Sequence, residues 1–249
     1  MKTSNPAFGP NAYPRTLAYR DIGSPMTIAG TINRTGILLL LTMASAAWVW
    51  NQFLTTRDPS TVGPYVTIGA IGGFIVALVT IFKKSWSPMT APIYAVLEGL
   101  FLGAVSSVLE VRFPGISIEA VGLTFGTCIC MLLAYRSGLI RPTQKFMIGI
   151  VAATGGIMVV YLVTMVLGFF HVNVPLIYGS GPIGILFSLV VVTVAALNLI
   201  LDFNMIEEGA WRGAPKYMEW YGAFGLLVTL VWLYLEMLRL LTKIRGDSR

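Results

Sequence analysis

The chain is short of charge, of cysteine and of histidine, and each shortage closes off a class of function. Asp, Glu, Lys and Arg make up 11% of the 249 residues, against about a quarter in an ordinary soluble domain. Apolar residues make up 56%, and the mean hydropathy is +0.78. A soluble domain of this length has too few interior positions for that much apolar surface, so the bilayer is its expected partner. There are two cysteines, Cys128 and Cys130. They lie two positions apart in one apolar run, so a helix would point them about 200° apart. That is neither a disulfide framework nor a metal-ligand spacing, and both read as helix-packing residues. The one histidine, His171, cannot build a histidine zinc site alone. No cofactor and no tightly bound metal is expected. The net charge of +6 does not signal nucleic acid, because the basic residues separate apolar runs instead of forming a stripe with interleaved aromatics.

What is present is a series of long apolar runs. They fall near 36–56, 64–82, 91–111, 118–135, 145–169, 182–206 and 217–241, each close to the roughly 20 residues that a 30 Å hydrocarbon layer requires. Arg57-Asp58-Pro59, Lys83-Lys84, Pro88 with Pro92, Pro114-Gly115, Arg136 with Arg141-Pro142, and the stretch from Pro175 to Pro182 punctuate them. The predicted fold is therefore all-α: an integral membrane bundle of seven transmembrane helices over residues 31–245. Residues 1–30, polar and rich in Pro, Gly and Asn, read as a poorly ordered cytoplasmic tail without the apolar core of a signal peptide. With that tail inside, eleven Lys and Arg fall on inner segments and only Arg57 and Arg112 on outer loops, which predicts an N-in topology. Seven crossings then put Arg239, Lys243, Arg245 and Arg249 outside, so the last helix is either a full crossing or re-entrant; the full crossing is preferred. Gly72-Gly73 and Gly155-Gly156 mark the second and fifth runs. They fit either an inverted three-helix repeat or plain close packing through small residues.

Charge inside an apolar run is the informative exception, at a cost of about 2.5–3.5 kcal/mol at mid-membrane unless paired or hydrated. Three acids qualify: Glu98, Asp202 and Glu236. Glu98 lies about two turns into the third helix, and Asp202 lies toward the end of the sixth. These helices run in opposite directions, so the two acids are expected at similar depth in the cytoplasmic half. Carboxyls that meet in a poorly solvated site share protons and respond to pH. The plainer alternatives are a hydrated Asp202 at the interface and a Glu98 that hydrogen-bonds across helices. Glu236 stands three residues before Arg239, where an intrahelical ion pair explains it. Asn198, one turn before Asp202, and Thr229, in the last helix, line a path or join helices. Lys83 and Lys84 are a possible counter-charge to the acids or simply topology anchors. Glu207, Glu208 and Glu219 surround the last inner loop and are expected to be solvated.

Enzyme signatures are poor. There is no HExxH, no GxGD and no phosphate-cradling glycine loop. Ser180 sits in a Gly/Pro loop, with His171 in the same connection rather than on a second buried helix. No enzymatic activity is expected.

Three stretches carry a family resemblance. SPMTAPIYAVLEGLFLGAVSSVLE has a Gly-Leu-x-Leu-Gly core, LDFNMIEEG is similar to an Asp-Thr-Gln-x-Ile-hydrophobic-Glu segment, and APKYMEWYGAFGLLVTLVWLYLEMLRLL ends in a Leu-Leu-Arg-Leu-Leu-like run. Together they resemble the transmembrane Bax inhibitor motif family over about residues 30–245, and NPAF and APKYMEWY resemble its bacterial branch. The resemblance implies a central last helix wrapped by two three-helix layers. It also implies a pH-sensitive calcium leak gated by two aspartates on the last two helices. Asp202 matches the first; the place of the second falls at Val228 or Thr229, neither of which ionises. Glu98 is the expected substitute; the family's neighbouring arginine has no match here, and Lys83 or Lys84 occupies a comparable stretch. Eukaryotic relatives suppress cell death, and nothing in these residues transfers that role.

The leading expectation is thus a proton-sensitive leak for calcium or other cations in a bacterial inner membrane. The competing readings are a membrane interaction protein that modulates membrane protein quality control or stress response, and a small-molecule transporter. The lipid bilayer is the partner common to all three, and no nucleic acid partner is expected.

Overall fold

A computed structural model describes residues 24–170, 179 and 181–247. Within them the chain forms α1 (Ile28–Thr56), α2 (Pro59–Phe82), a 3-10 turn (Lys84–Trp86), α3 (Ser87–Arg112), α4 (Ile116–Arg136), α5 (Gln144–Phe169), α6 (Pro182–Trp211) and α7 (Met218–Asp247). Seven helices are long and apolar enough to cross a membrane, and the chain is a multi-pass membrane protein. The expected order of the tail lies outside the described residues, as do His171 and Ser180. The expected boundary at residue 30 falls inside α1, which begins at Ile28 because Thr27 caps it: its hydroxyl accepts the Gly30 N–H at 2.9 Å.

Local chemistry sets the other ends. Arg57 ends α1 in the left-handed region at φ 51°. Asp58 then caps α2, accepting the Ser60 N–H at 2.9 Å and the Ser60 hydroxyl at 2.6 Å, bonds that hold its carboxyl below the usual range. Pro59 occupies the first turn, where its missing N–H costs nothing. Pro64 and Pro92 lie inside α2 and α3 rather than at their starts; each forfeits one bond close to a helix start, where few bonds depend on it.

We call the end of the bundle where α1 begins the near end and the other the far end. α7 traverses the whole distance. The Ser87 hydroxyl donates to the Tyr217 carbonyl at the near end, and Arg245 reaches the Pro114 carbonyl and Glu119 at the far end. α7 therefore runs the full length of the bundle as one continuous helix. α7 packs against α1, α3, α4 and α6, and 50% of its most apolar stretch is buried, more than for any other span.

Lipid supplies no hydrophobic drive for helices to associate, so close approach and hydrogen bonds must do it. The Gly99 and Gly103 pair provides the first. A Cβ on Gly99 would stand 2.4 Å from the Thr42 carbonyl, and one on Gly103 2.5 Å from that of Ala46. These two glycines, one turn apart, let α3 lie directly on the α1 backbone. Gly69 does the same between α2 and α3, 2.7 Å from the Leu97 carbonyl.

Candidate functional site

The three intramembrane acids end up in three different settings. Glu98 lies on α3 beside α2, where its Oε1 is 2.9 Å from the place of a Cβ on Gly73. The Tyr94 hydroxyl lies beside it, and that ring stacks edge-on against Phe224 of α7 at 4.9 Å. Asp202 lies on α6, nine residues short of its end at Trp211, and faces α7. Its Oδ1 is 4.0 Å from the place of a Cβ on Gly225, and the Thr229 hydroxyl, which donates to the Gly225 carbonyl at 3.3 Å, lies beside it. The thiol of Cys128, on α4, is close enough to interact electrostatically with it. Its other oxygen, Oδ2, is buried with no hydrogen-bond partner among the described residues. An unsatisfied buried acceptor costs about 1–3 kcal/mol. It is retained facing α7, on a residue that is half-buried as a whole.

Equal depth of Glu98 and Asp202 follows from the register of α3 along α7. Ser87 meets Tyr217, Tyr94 meets Phe224 and Ser106 meets Tyr234, which sets Glu98 level with Val228, beside the Thr229 that Asp202 faces. The two carboxyls are nevertheless on different flanks of α7: Phe224 and Gly225 are successive residues, about 100° apart around a helix. Their polar partners differ, and among the described residues α3 and α6 do not pack on each other. The structure therefore matches the two acids in height without bringing them together. The place expected for a second acid is taken by Thr229, a neutral hydrogen-bond donor.

The remaining candidates separate further. The Asn198 amide donates to the Thr154 hydroxyl of α5 at 2.8 Å and to the Val194 carbonyl at 2.8 Å, so it joins helices. Lys83 lies over the Trp86 ring at 5.9 Å and Lys84 over Tyr221 at 5.2 Å; they engage rings at the near end, not the carboxylates. Of the glycine pairs, Gly72 and Gly73 pack on Leu97 and Glu98, whereas Gly155 and Gly156 have nothing within 4 Å. Glu236 makes its expected ion pair with Arg239 at 3.0 Å, and Tyr161 of α5 joins it at 2.9 Å.

Glu219 corrects an expectation. Instead of being solvated it is fully buried, accepting the Thr27 N–H at 3.0 Å, the Thr27 hydroxyl at 2.8 Å and the Lys216 ammonium at 2.8 Å. It thereby binds the start of α1, where unpaired N–H groups and the helix dipole favour negative charge. Nothing local in the sequence announces this, because its principal partner is 192 residues away.

Two cavities frame the site. A polar one of about 450 Å³ lies at the near end, between Tyr135, Arg136, Arg141, Asn204 and Glu207, one to two turns from Asp202. Tyr135 donates to Glu207 there. The larger, about 810 Å³, is an apolar cleft among α1, α3, α4 and α7, and neither Asp202 nor Glu98 lines it. No described group of three or more His, Cys, Asp or Glu is placed to hold a metal ion.

The family comparison covers nearly the whole chain: residues 4–246 match the family model described as Bax inhibitor 1 like. No curated protein and no solved structure matches it.

Proposed function

Since the chain belongs to the Bax inhibitor 1 like family, we propose that it is a non-enzymatic, pH-sensitive leak for cations, calcium above all, in a bacterial inner membrane with the N-terminus in the cytoplasm. The observation that carries this is the unpartnered Oδ2 of Asp202, buried opposite Thr229. An ionised carboxylate with a free oxygen attracts a cation, and a protonated one does not. Flux should therefore rise as pH rises and Asp202 loses its proton. The polar cavity between Tyr135 and Glu207 is the vestibule on the near side, and the bundle around Asp202 is the closed state.

The test is calcium entry into dye-loaded liposomes carrying the purified chain between pH 6 and 8. We expect more flux at pH 8 than at pH 6, and an Asp202→Asn variant whose flux no longer varies with pH. A wild type with a flat profile would defeat the carboxyl gate.

One observation favours a second reading, a non-conducting interaction protein of membrane quality control: neither acid lines the large cleft. In that reading Asp202 only specifies helix pairing, so Asp202→Leu should loosen the bundle. In the leak reading it removes an unsatisfied acceptor and raises thermal stability.

A further inference from the structure

Asp202 is the first of three polar stations on one line. α6 and α7 are antiparallel, and their register is read from Ile206 against Gly222, Met205 and Asp202 against Gly225, and Ser188 against Lys243. This register carries Asp202, Ala195 and Ser188 of α6 past Thr229, Glu236 and Lys243 of α7. Both series advance by seven residues, a spacing that keeps side chains on one helix–helix seam. Each step rises about 10.5 Å, so the line covers about 21 Å of a layer about 30 Å thick.

The other two stations are charged and buried. Glu236 is 1% exposed and Lys243 6%. The Lys243 ammonium donates to the Gly184 carbonyl at 2.9 Å and to the Ser188 hydroxyl at 2.8 Å. Backbone carbonyls, hydroxyls and carboxylates are the oxygen ligands that hard metal cations take. Lys243 thus fills, with a tethered cation, a cradle of the kind a mobile cation would use. The charges that face Glu236 are Arg239 and Lys243 on its own helix, with the Tyr161 hydroxyl from α5. One carboxylate against two cations leaves this far half positive.

Building on the leak proposed above, we propose that the α6–α7 seam is the cation route, with Glu236 as its second carboxylate station after Asp202 and Lys243 as the built-in cation that closes its far end. The ammonium competes with a passing ion for the Gly184 and Ser188 oxygens. Displacing it opens the route, and Glu236, at the heptad step between, receives the ion.

The test is calcium flux at pH 7.5 in liposomes carrying the full chain as wild type, Lys243→Gln, Lys243→Arg, Ser188→Ala and Glu236→Gln. Folding is checked by size exclusion and thermal melting. Lys243→Gln should conduct several-fold faster than wild type, Lys243→Arg like wild type, Ser188→Ala somewhat faster, and Glu236→Gln several-fold more slowly. Should Lys243→Gln fail to fold, Ser188→Ala decides, because it removes one hydroxyl and no charge. If the wild type conducts and neither Lys243→Gln nor Ser188→Ala conducts faster, the seam is overturned while the leak stands. If the wild type is silent and Lys243→Gln conducts, the seam is supported as a locked route. Silence in both overturns the two together.

Discussion

The layer of α1, α2 and α3 and the single helix α5 are built from similar small and β-branched residues, yet they are held in opposite ways. In the first, Gly69, Gly99 and Gly103 sit with neighbouring backbone less than 3 Å from where a Cβ would stand. In α5, Gly149, Gly155 and Gly156 have nothing within 4 Å; its one packed interface of any extent is with α6, and its buried residues are Ile150 and Thr164. A hydrogen bond accepted by Thr154 and one donated by Tyr161 tie it to its neighbours. A glycine pair in an apolar run is therefore not in itself a packing motif. It becomes one when a second helix arrives at the same height, and where none does the glycine leaves the helix loosely held. Loosely held elements are the ones that open at low free-energy cost.

That contrast is easiest to break at its tight side. Gly103→Leu would drive a side chain into the Ala46 carbonyl, which cannot yield as a flexible side chain would. Overpacking of this kind costs about 1–3 kcal/mol even where neighbours relax, and we expect loss of the monodisperse peak in size exclusion. Next comes Glu219→Leu, which leaves the Thr27 donors and Lys216 without their acceptor. A destabilisation of about 1–3 kcal/mol is expected, read as a lower melting temperature and faster hydrogen exchange at the start of α1. On the loose side, Tyr161→Phe removes two interhelical bonds, one donated to Glu236 and one accepted from Arg239, worth about 0.6 kcal/mol each; exchange should quicken in α5 and stay unchanged in α3. Smallest of all, Gly156→Leu meets open space and should shift stability by no more than about 0.5 kcal/mol. If Gly156→Leu unfolds the chain as Gly103→Leu does, the two regions are not different after all.

The elements that sequence reading recovered are those with local causes. Arg57-Asp58-Pro59 marks a helix stop and a helix start because a left-handed residue, a capping carboxylate and a first-turn proline act within four positions. Of the two prolines that mark the start of the third run, Pro88 stands in the first turn of α3 and Pro92 inside it, because one missing N–H close to a helix start is tolerated. Asp202 and Glu98 were legible as acids in apolar runs. Their equal height followed from helix direction, but not the flank of α7 each occupies. Glu236 was legible as a third acid in an apolar run, accounted for by its ion pair with Arg239, and Lys243 as an ordinary end charge; the α6–α7 register sets both on the line of Asp202.

Hydropathy and its interruptions alone determine that this chain is a membrane bundle of seven helices with an acid in the sixth, because the bilayer's thickness and the cost of buried charge act on each segment separately. Which charges share a seam is decided by the tertiary structure. Glu219 meets Thr27, Lys243 meets Ser188, and Asp202 meets Thr229 in place of a second acid. Those meetings depend on the azimuth of each helix about its own axis, and azimuth is set by close contacts between segments, such as Gly99 on Thr42, that no single segment encodes.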